Sequence, residues 1–215
     1  MPSNAYSNFE KNLKDVERLY TSHAQLNHNG RGKRGLGHLT RSGIFMLCAA
    51  WEVYHEELIK ECVRIIADNT TFPKDLPRPI RLVLINHLSN LNDKSKLLHV
   101  AGDGWKSTYI NICDGEMRSL NSPKVNILNK CYTNFLAVER ISNFWSMDDQ
   151  EIDDFVKIRG DIAHNGRGAQ YVRINQLDRY ILSINKIVIE NDNSILEHIK
   201  ETFIGGRSPW YRKNI

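Results

Sequence analysis

Apolar residues recur at helical spacing along almost the whole chain, while the period-2 alternation of half-buried strands is nearly absent. From about residue 5 to residue 26, Phe9, Leu13, Val16 and Tyr20 mark a first helix. Between about residues 40 and 68, Ile44, Leu47, Trp51, Leu58, Cys62 and Ile65 follow i, i+3/i+4, i+7 spacing, and no Gly or Pro occurs after Gly43. This is the longest predicted helix. Pro73, Pro77 and Pro79 must break it. A further helix is predicted from Ile80 to about Val100 on the strength of Leu84, Leu88, Leu91, Leu97 and Leu98, followed by a turn at Gly102-Asp103-Gly104-Trp105 and a short helix over residues 109–120. Asn121-Ser122-Pro123 opens another helical stretch through Val138, with Ile127, Leu128, Cys131 and Phe135 inward. Asp148-Asp149-Gln150-Glu151 puts negative charge at the positive end of the next helix, which stops at Asn165-Gly166. One or two final helices span about residues 173–203. The expected architecture is all-α: a bundle of about five main helices with N- and C-terminal extensions, in a single domain over residues 1–215 whose core is about 40–190.

Composition narrows the class without naming a function. Hydrophobic residues make up 41% and charged residues 25% of 215 positions, as in ordinary globular proteins. A formal charge of +4 suits a polyanionic partner but does not demand one. Cys48, Cys62, Cys113 and Cys131 are too scattered for a zinc or redox motif, and Cys48 and Cys62 fall in apolar helical patterns. The first residues lack a signal-peptide apolar region, and no apolar run approaches the roughly 18 residues of a membrane span. A soluble, cytoplasmic protein with no membrane association is expected.

Two stretches are cationic. Residues 28–37 combine four glycines with Arg31, Lys33 and Arg34, but lack the Gly-Lys-Ser/Thr of a phosphate-binding loop. Such a loop is either simply solvated or in contact with a nucleic-acid backbone. Arg167, just after the helix stop at Gly166, joins Arg31, Lys33 and Arg34 as a possible nucleic-acid contact. The tail over residues 205–213 is basic and aromatic, suited to base stacking or to packing as a terminus.

The most informative segment runs from Asp153 to Gly166. On a helix of about 100° per residue, Ile152, Phe155, Val156, Ile158, Ile162 and Ala163 share one broad apolar arc, and Arg159 falls inside it. A guanidinium cannot shed its charge, so Arg159 either meets a carboxylate or faces a polar seam between helices or subunits. Glu52, one position beyond Trp51 on the longest helix, is a candidate counter-ion; the alternative is an ordinary surface Glu. His164 sits at the helix end, where an imidazole can serve as a proton acceptor or donor.

Arg159-x4-His164, ending in Ile162-Ala163-His164-Asn165-Gly166, resembles the signature of HEPN-domain proteins, an all-helical group that includes many prokaryotic ribonucleases. Arg18/His23, Arg31/His38 and Arg81/His87 have similar spacings but not this context of a late helix, Ile-Ala before the His and Asn-Gly after it. Trp51-Glu52-Val53-Tyr54 on the long helix resembles the HEPN branch named for association with RNA-ligase-like and phosphatase-type partners, and Ser122-Pro123-Lys124-Val125 lies in the family's order ahead of the motif helix. The chain departs from the pattern at Gly160, where the family often has a polar Asn, Asp or His, with Asp161 one step later.

The resemblance implies a metal-independent endoribonuclease of phage defence or a toxin–antitoxin-like system. No metal or cofactor is needed, because RNA carries its own nucleophile in the 2′-hydroxyl; a base must take that proton and a cation must offset charge on the phosphorane. His164 suits the first task and Arg159 the second, with Asp161 and Asn165 orienting the pair and a 2′,3′-cyclic phosphate as product. One subunit offers a single such His, so a homodimer with the motif at its seam is implied, together with an antitoxin or operon-encoded partner protein. Two other readings stay open: a non-catalytic HEPN module binding RNA, nucleotide or protein, and a scaffold in which Arg159 and His164 satisfy a buried network.

Overall fold

Leu47, Trp51, Tyr54, Ile59, Val63 and Ala67 are all buried, and at 100° per residue they spread over more than half the circumference of one helix. A helix apolar over so wide an arc must be enclosed by others. In a computed structural model, which describes residues 1–27 and 34–214, this is what happens. Arg31 and Lys33 lie outside the described residues, and Arg34 is described by its backbone alone. In chain order the α-helices are α1 (Asn4–Leu26), α2 (Gly37–Asn69), α3 (Arg78–Ser89), α4 (Gly104–Arg118), α5 (Val125–Leu136), α6 (Asp149–Asn165) and α7 (Ile174–Thr202), with short 3-10 turns between them and no strand among the described residues. The central α2 packs against α1, α4, α5, α6 and α7. No helix among the described residues is long and apolar enough to cross a membrane.

The crossing of α2 and α7 depends on Gly43, because a Cβ there would stand 2.6 Å from Leu177 Cδ2. Polar groups carried into the core by α2 are met by partners from α5 and α7. His55 Nδ1 lies 2.7 Å from Tyr132 Oη, and Asn191 Nδ2 donates to the hydroxyls of both Tyr132 and Tyr54. Trp145 Nε1 donates to Asn191 Oδ1 at 2.9 Å. Asn191 thus sits at the centre of a buried network that joins three helices and the α5–α6 connection.

The expected helix over residues 80–100 is not continuous. α3 stops at Ser89, and a separate 3-10 helix, Lys94–Val100, follows. Between them lies Asn90-Leu91-Asn92-Asp93, whose short polar side chains compete with helical hydrogen bonds. Asp93 Oδ1 accepts from both the backbone N–H and the hydroxyl of Ser95, which starts the new turn. Leu97 and Leu98 consequently stay exposed and do not enter the core. α4 begins earlier than the sequence suggests, at Gly104, which brings Trp105 and Tyr109 inward one turn apart. The region after Arg173 is one unbroken helix. The tail packs: Trp210 is buried, and Lys213 Nζ pairs with Glu10 at 2.8 Å, leaving Tyr211 exposed.

Both chain ends converge on Asp192 of α7. Ser3 caps α1 by accepting from Tyr6 N at 2.9 Å, and its hydroxyl donates to the buried Asp192 carboxylate. Tyr211 N donates to Met1 O, tying the tail to the same corner. Burial pushes the Asp192 carboxyl up to about 6, against the opposing effect of the Ser3 bonds. Between its ordinary value of 3.8 and about 6 the folded chain holds a proton that the unfolded chain releases, so stability from this group is present at low pH and lost as pH rises through the window. His55 acts in the opposite sense. Burial pushes it down to about 3, so its contribution is lost as pH falls below the unfolded value near 6.5.

Asp192→Asn keeps the shape and the Ser3 partner while removing the ionisation. Relative to wild type it should gain on the order of 1–3 kcal/mol between pH 4 and pH 7, read by urea denaturation at both values. Parallel pH dependence in the two proteins would contradict the assignment. A second expectation concerns Gly160 in α6, where an added Cβ meets nothing within 4 Å. Gly160→Ala should stabilise the fold by about 0.5–1 kcal/mol in the same assay, and a loss would show that the position is constrained.

Candidate functional site

α6 is set by its two ends. Asp148 caps the first turn by accepting from Gln150 N at 2.7 Å, and Asp149 and Glu151 add negative charge at the positive end of the dipole. Gly166, at φ +52°, takes the left-handed turn that stops the helix, and its N–H returns to Ile162 O. Ile152, Phe155 and Val156 are buried, Ile158 and Ile162 are packed partly against the core, and Ala163 is exposed, so the apolar arc fades toward the C-terminus. Asp153 anchors the helix sideways by accepting from Val125 N at the start of α5.

Arg159 lies over residues 45, 48 and 52 of α2, which share one face at i, i+3 and i+7. Its Nη2 is 3.8 Å from Glu52 Oε2, and its guanidinium carbon is 5.4 Å from the centroid of Phe45. At 3.8 Å this is an ion pair without a hydrogen bond. The buried Nε of Arg159 and Oε2 of Glu52 make none. Burial raises the Glu52 carboxyl above its usual range, with Glu56 adding to the shift and Arg159 opposing it. The arginine is therefore held at the site by charge and by stacking on Phe45, with donor capacity to spare.

His164 is exposed in the last turn of α6 and makes no hydrogen bond among the described residues. Asp161 and Asn165 do not bond to it or to Arg159. Asn165 Nδ2 donates to Asp161 Oδ1 at 2.7 Å, and Gln170 N donates to Asp161 Oδ2 at 2.8 Å. Those two bonds hold the Asp161 carboxyl below its usual range and fasten the turn after α6. Any influence of Asp161 and Asn165 on His164 runs through that turn. Arg167 is exposed in the 3-10 turn Gly166–Gly168 and lines a pocket of about 360 Å³ between the ends of α2 and α6.

Arg159 and His164 are five residues apart, which on an ideal helix is about 140° of rotation and about 7.5 Å of rise. One copy of α6 therefore presents the two groups to different directions. Beside Arg159, the side of α2 not covered by other helices carries Met46, Ala49 and Val53 at i, i+3 and i+7, with Phe45 adjoining; Phe45, Met46 and Val53 are exposed. The sequence contains a signal for this stripe: Ile44-Phe45-Met46-Leu47 is four consecutive apolar residues, which a helix cannot all turn inward. No group of His, Cys, Asp and Glu among the described residues could hold a metal ion. The cysteines are free, and burial pushes the thiols of Cys48 and Cys113 up to about 12, so they are poor nucleophiles.

No curated protein and no solved structure matches the chain. A family model, RiboL-PSP-HEPN, matches residues 7–197. The match takes in nearly all of α1, which the expected core of about residues 40–190 left out, as well as the Trp51-Glu52 and Arg159–His164 segments. By that match, over most of its length, the chain belongs to the RiboL-PSP-HEPN family.

Proposed function

We propose that the chain is one protomer of a metal-independent endoribonuclease, working in phage defence or a toxin–antitoxin-like system, with Arg159 and His164 as its catalytic pair. The observation that carries this reading is the state of the pair: a loosely paired arginine with an unbonded buried Nε, and an unbonded histidine, on one helix beside an exposed apolar stripe. HEPN membership supports an RNase-like or RNA-binding module in general.

In the proposed reaction the 2′-oxygen attacks phosphorus, His164 takes the 2′-hydroxyl proton, and the bond to the 5′-oxygen breaks. Arg159 offsets charge on the phosphorane through two of its N–H groups. The leaving 5′-oxygen needs a proton, and α6 carries no second imidazole. A two-fold dimer closed over Val53, with Phe45 and Met46 left facing a shared cleft, supplies the partner subunit's His164. It also brings an Arg159 of one copy toward a His164 of the other, which removes the difficulty of 140° on one helix. Glu52 is a positioning residue in this scheme, acting through Arg159.

A non-catalytic binding role is the second reading. It is favoured by Gly160, where the family often has a polar residue, and by the engagement of Asp161 with the turn and not with His164.

In EDTA, wild type should cut RNA to leave 2′,3′-cyclic phosphate and 5′-hydroxyl ends, and His164→Ala should lose activity by a factor of about 10² or more. Folded wild type that leaves total RNA and tRNA intact would reject catalysis. Glu52→Gln should lower kcat about ten- to hundredfold with little change in KM, and Glu52→Asp should recover part of it. A purely structural Glu52 would instead show a lowered Tm with kcat unchanged per folded molecule.

A further inference from the structure

The face of α2 that carries Glu52, Cys48 and Phe45 continues toward the N-terminus through Arg41 and His38, at the same i, i+3/i+4 steps. Arg41 lies about 11 Å along the helix from the middle of the Arg159 site. Here the pocket of about 360 Å³ opens, lined by His38, Arg41, Phe45 and Met46 from α2 and by Ile162 and Arg167 from the end of α6. Phe45 belongs to both places: its ring carries Arg159 and the same residue lines the pocket. The two sites therefore adjoin at Phe45.

None of the residues lining the pocket is acidic, and neither Arg41 nor Arg167 has an ion-pair partner among the described residues. A second observation concerns Gly37 in the first turn of α2. A Cβ placed there would lie 3.1 Å from Arg41 Nη1 and 3.3 Å from Tyr171 Cε2, so a guanidinium and a phenol ring converge on bare backbone. Tyr171 is nevertheless 48% exposed. The first turn of α2 has no acidic residue and, among the described residues, no side-chain cap, so its positive end favours an anion.

Free cations beside exposed aromatic rings match a single-stranded nucleic acid, whose unstacked bases offer a π-face and whose phosphates offer charge. An acidic peptide would satisfy the arginines but would leave the exposed Tyr171 ring without a role. We propose that this pocket is a nucleotide subsite for single-stranded RNA. Tyr171 stacks one base, Arg41 and Arg167 hold its phosphate, and the strand runs on over Phe45 toward Arg159. The proposal deepens the ribonuclease reading and rests on it for the direction of the strand.

The test uses the full chain carrying His164→Ala, which leaves RNA intact, and a fluorescently labelled single-stranded oligoribonucleotide read by anisotropy. Adding Tyr171→Ala should weaken binding about tenfold, while Tyr171→Phe should retain it. Adding Arg41→Ala should also weaken binding and lower the slope of log affinity against log salt by about 0.7, a change that Tyr171→Ala should not make. Both side chains are at least partly exposed, and circular dichroism checks that the variants fold. Affinity indifferent to Tyr171 and Arg41, alongside wild-type cleavage in EDTA, overturns the subsite and leaves the ribonuclease reading in place. Tyr171-dependent affinity without cleavage overturns catalysis and supports the subsite. Equal competition by polyglutamate, unaffected by Tyr171→Ala, assigns the pocket to an acidic protein partner and overturns the proposal.

Discussion

The enclosure of α2 governs the rest of this structure. A helix buried over more than half its circumference needs neighbours on several sides, and α1, α4, α5, α6 and α7 supply them. Each buried polar group that α2 carries then needs a partner on one of those neighbours. His55 finds Tyr132, Tyr54 finds Asn191 and Val188 O, and Trp51 Nε1 finds Pro123 O. These bonds fix the rotation of α2 about its own axis. That rotation decides which residues are left at the edge of the buried arc.

Phe45, Cys48 and Glu52 stand at that edge, where α6 lays Arg159 across them. The same enclosure that stabilises the core thus sets the environment of the arginine. It is dry enough to raise the Glu52 carboxyl, yet open enough that a guanidinium with a 25% exposed side chain can still reach outward. A fully buried pair would be locked, and a fully solvated one would be worth little to a phosphate. An arginine held by one distant carboxylate and one aromatic face keeps its hydrogen-bond donors available for an anion. Gly166, by ending α6 where it does, leaves His164 exposed in the last turn of the helix.

Much of this was legible from residue order. The extents of α1, α2 and α6 follow from apolar spacing, because each is long and periodic, and α6 is also bounded by end signals at Asp148 and Gly166. The placement of Glu52 near Arg159 was a candidate from the need to pair a buried guanidinium. Legibility failed where local chemistry overrode periodicity: the leucines from Leu84 to Leu98 keep helical spacing, but Asn90, Asn92 and Asp93 interrupt the hydrogen-bond ladder. It also failed for Asp161, whose proximity to His164 in sequence suggested a direct bond that Gln170 N takes instead. Arg41 and Tyr171 escaped notice because they meet at Gly37 only through packing of α2 against the segment that joins α6 to α7. Nothing local marks them as neighbours.

The central claim is that Arg159 and His164 act from different copies of the chain across a shared seam. Co-expression of Arg159→Ala and His164→Ala chains, purified as a mixed dimer through different tags, tests it most directly. In such a dimer one intact arginine and one intact histidine remain, on separate chains. The account predicts that this mixed dimer, which lacks one of the two histidines, keeps the residual cleavage in EDTA of a wild-type/His164→Ala mixed dimer, while each variant alone cuts nothing. A mixed dimer as inactive as its parents, beside a wild-type/His164→Ala dimer that still cuts, would place both groups in one chain and contradict the shared seam.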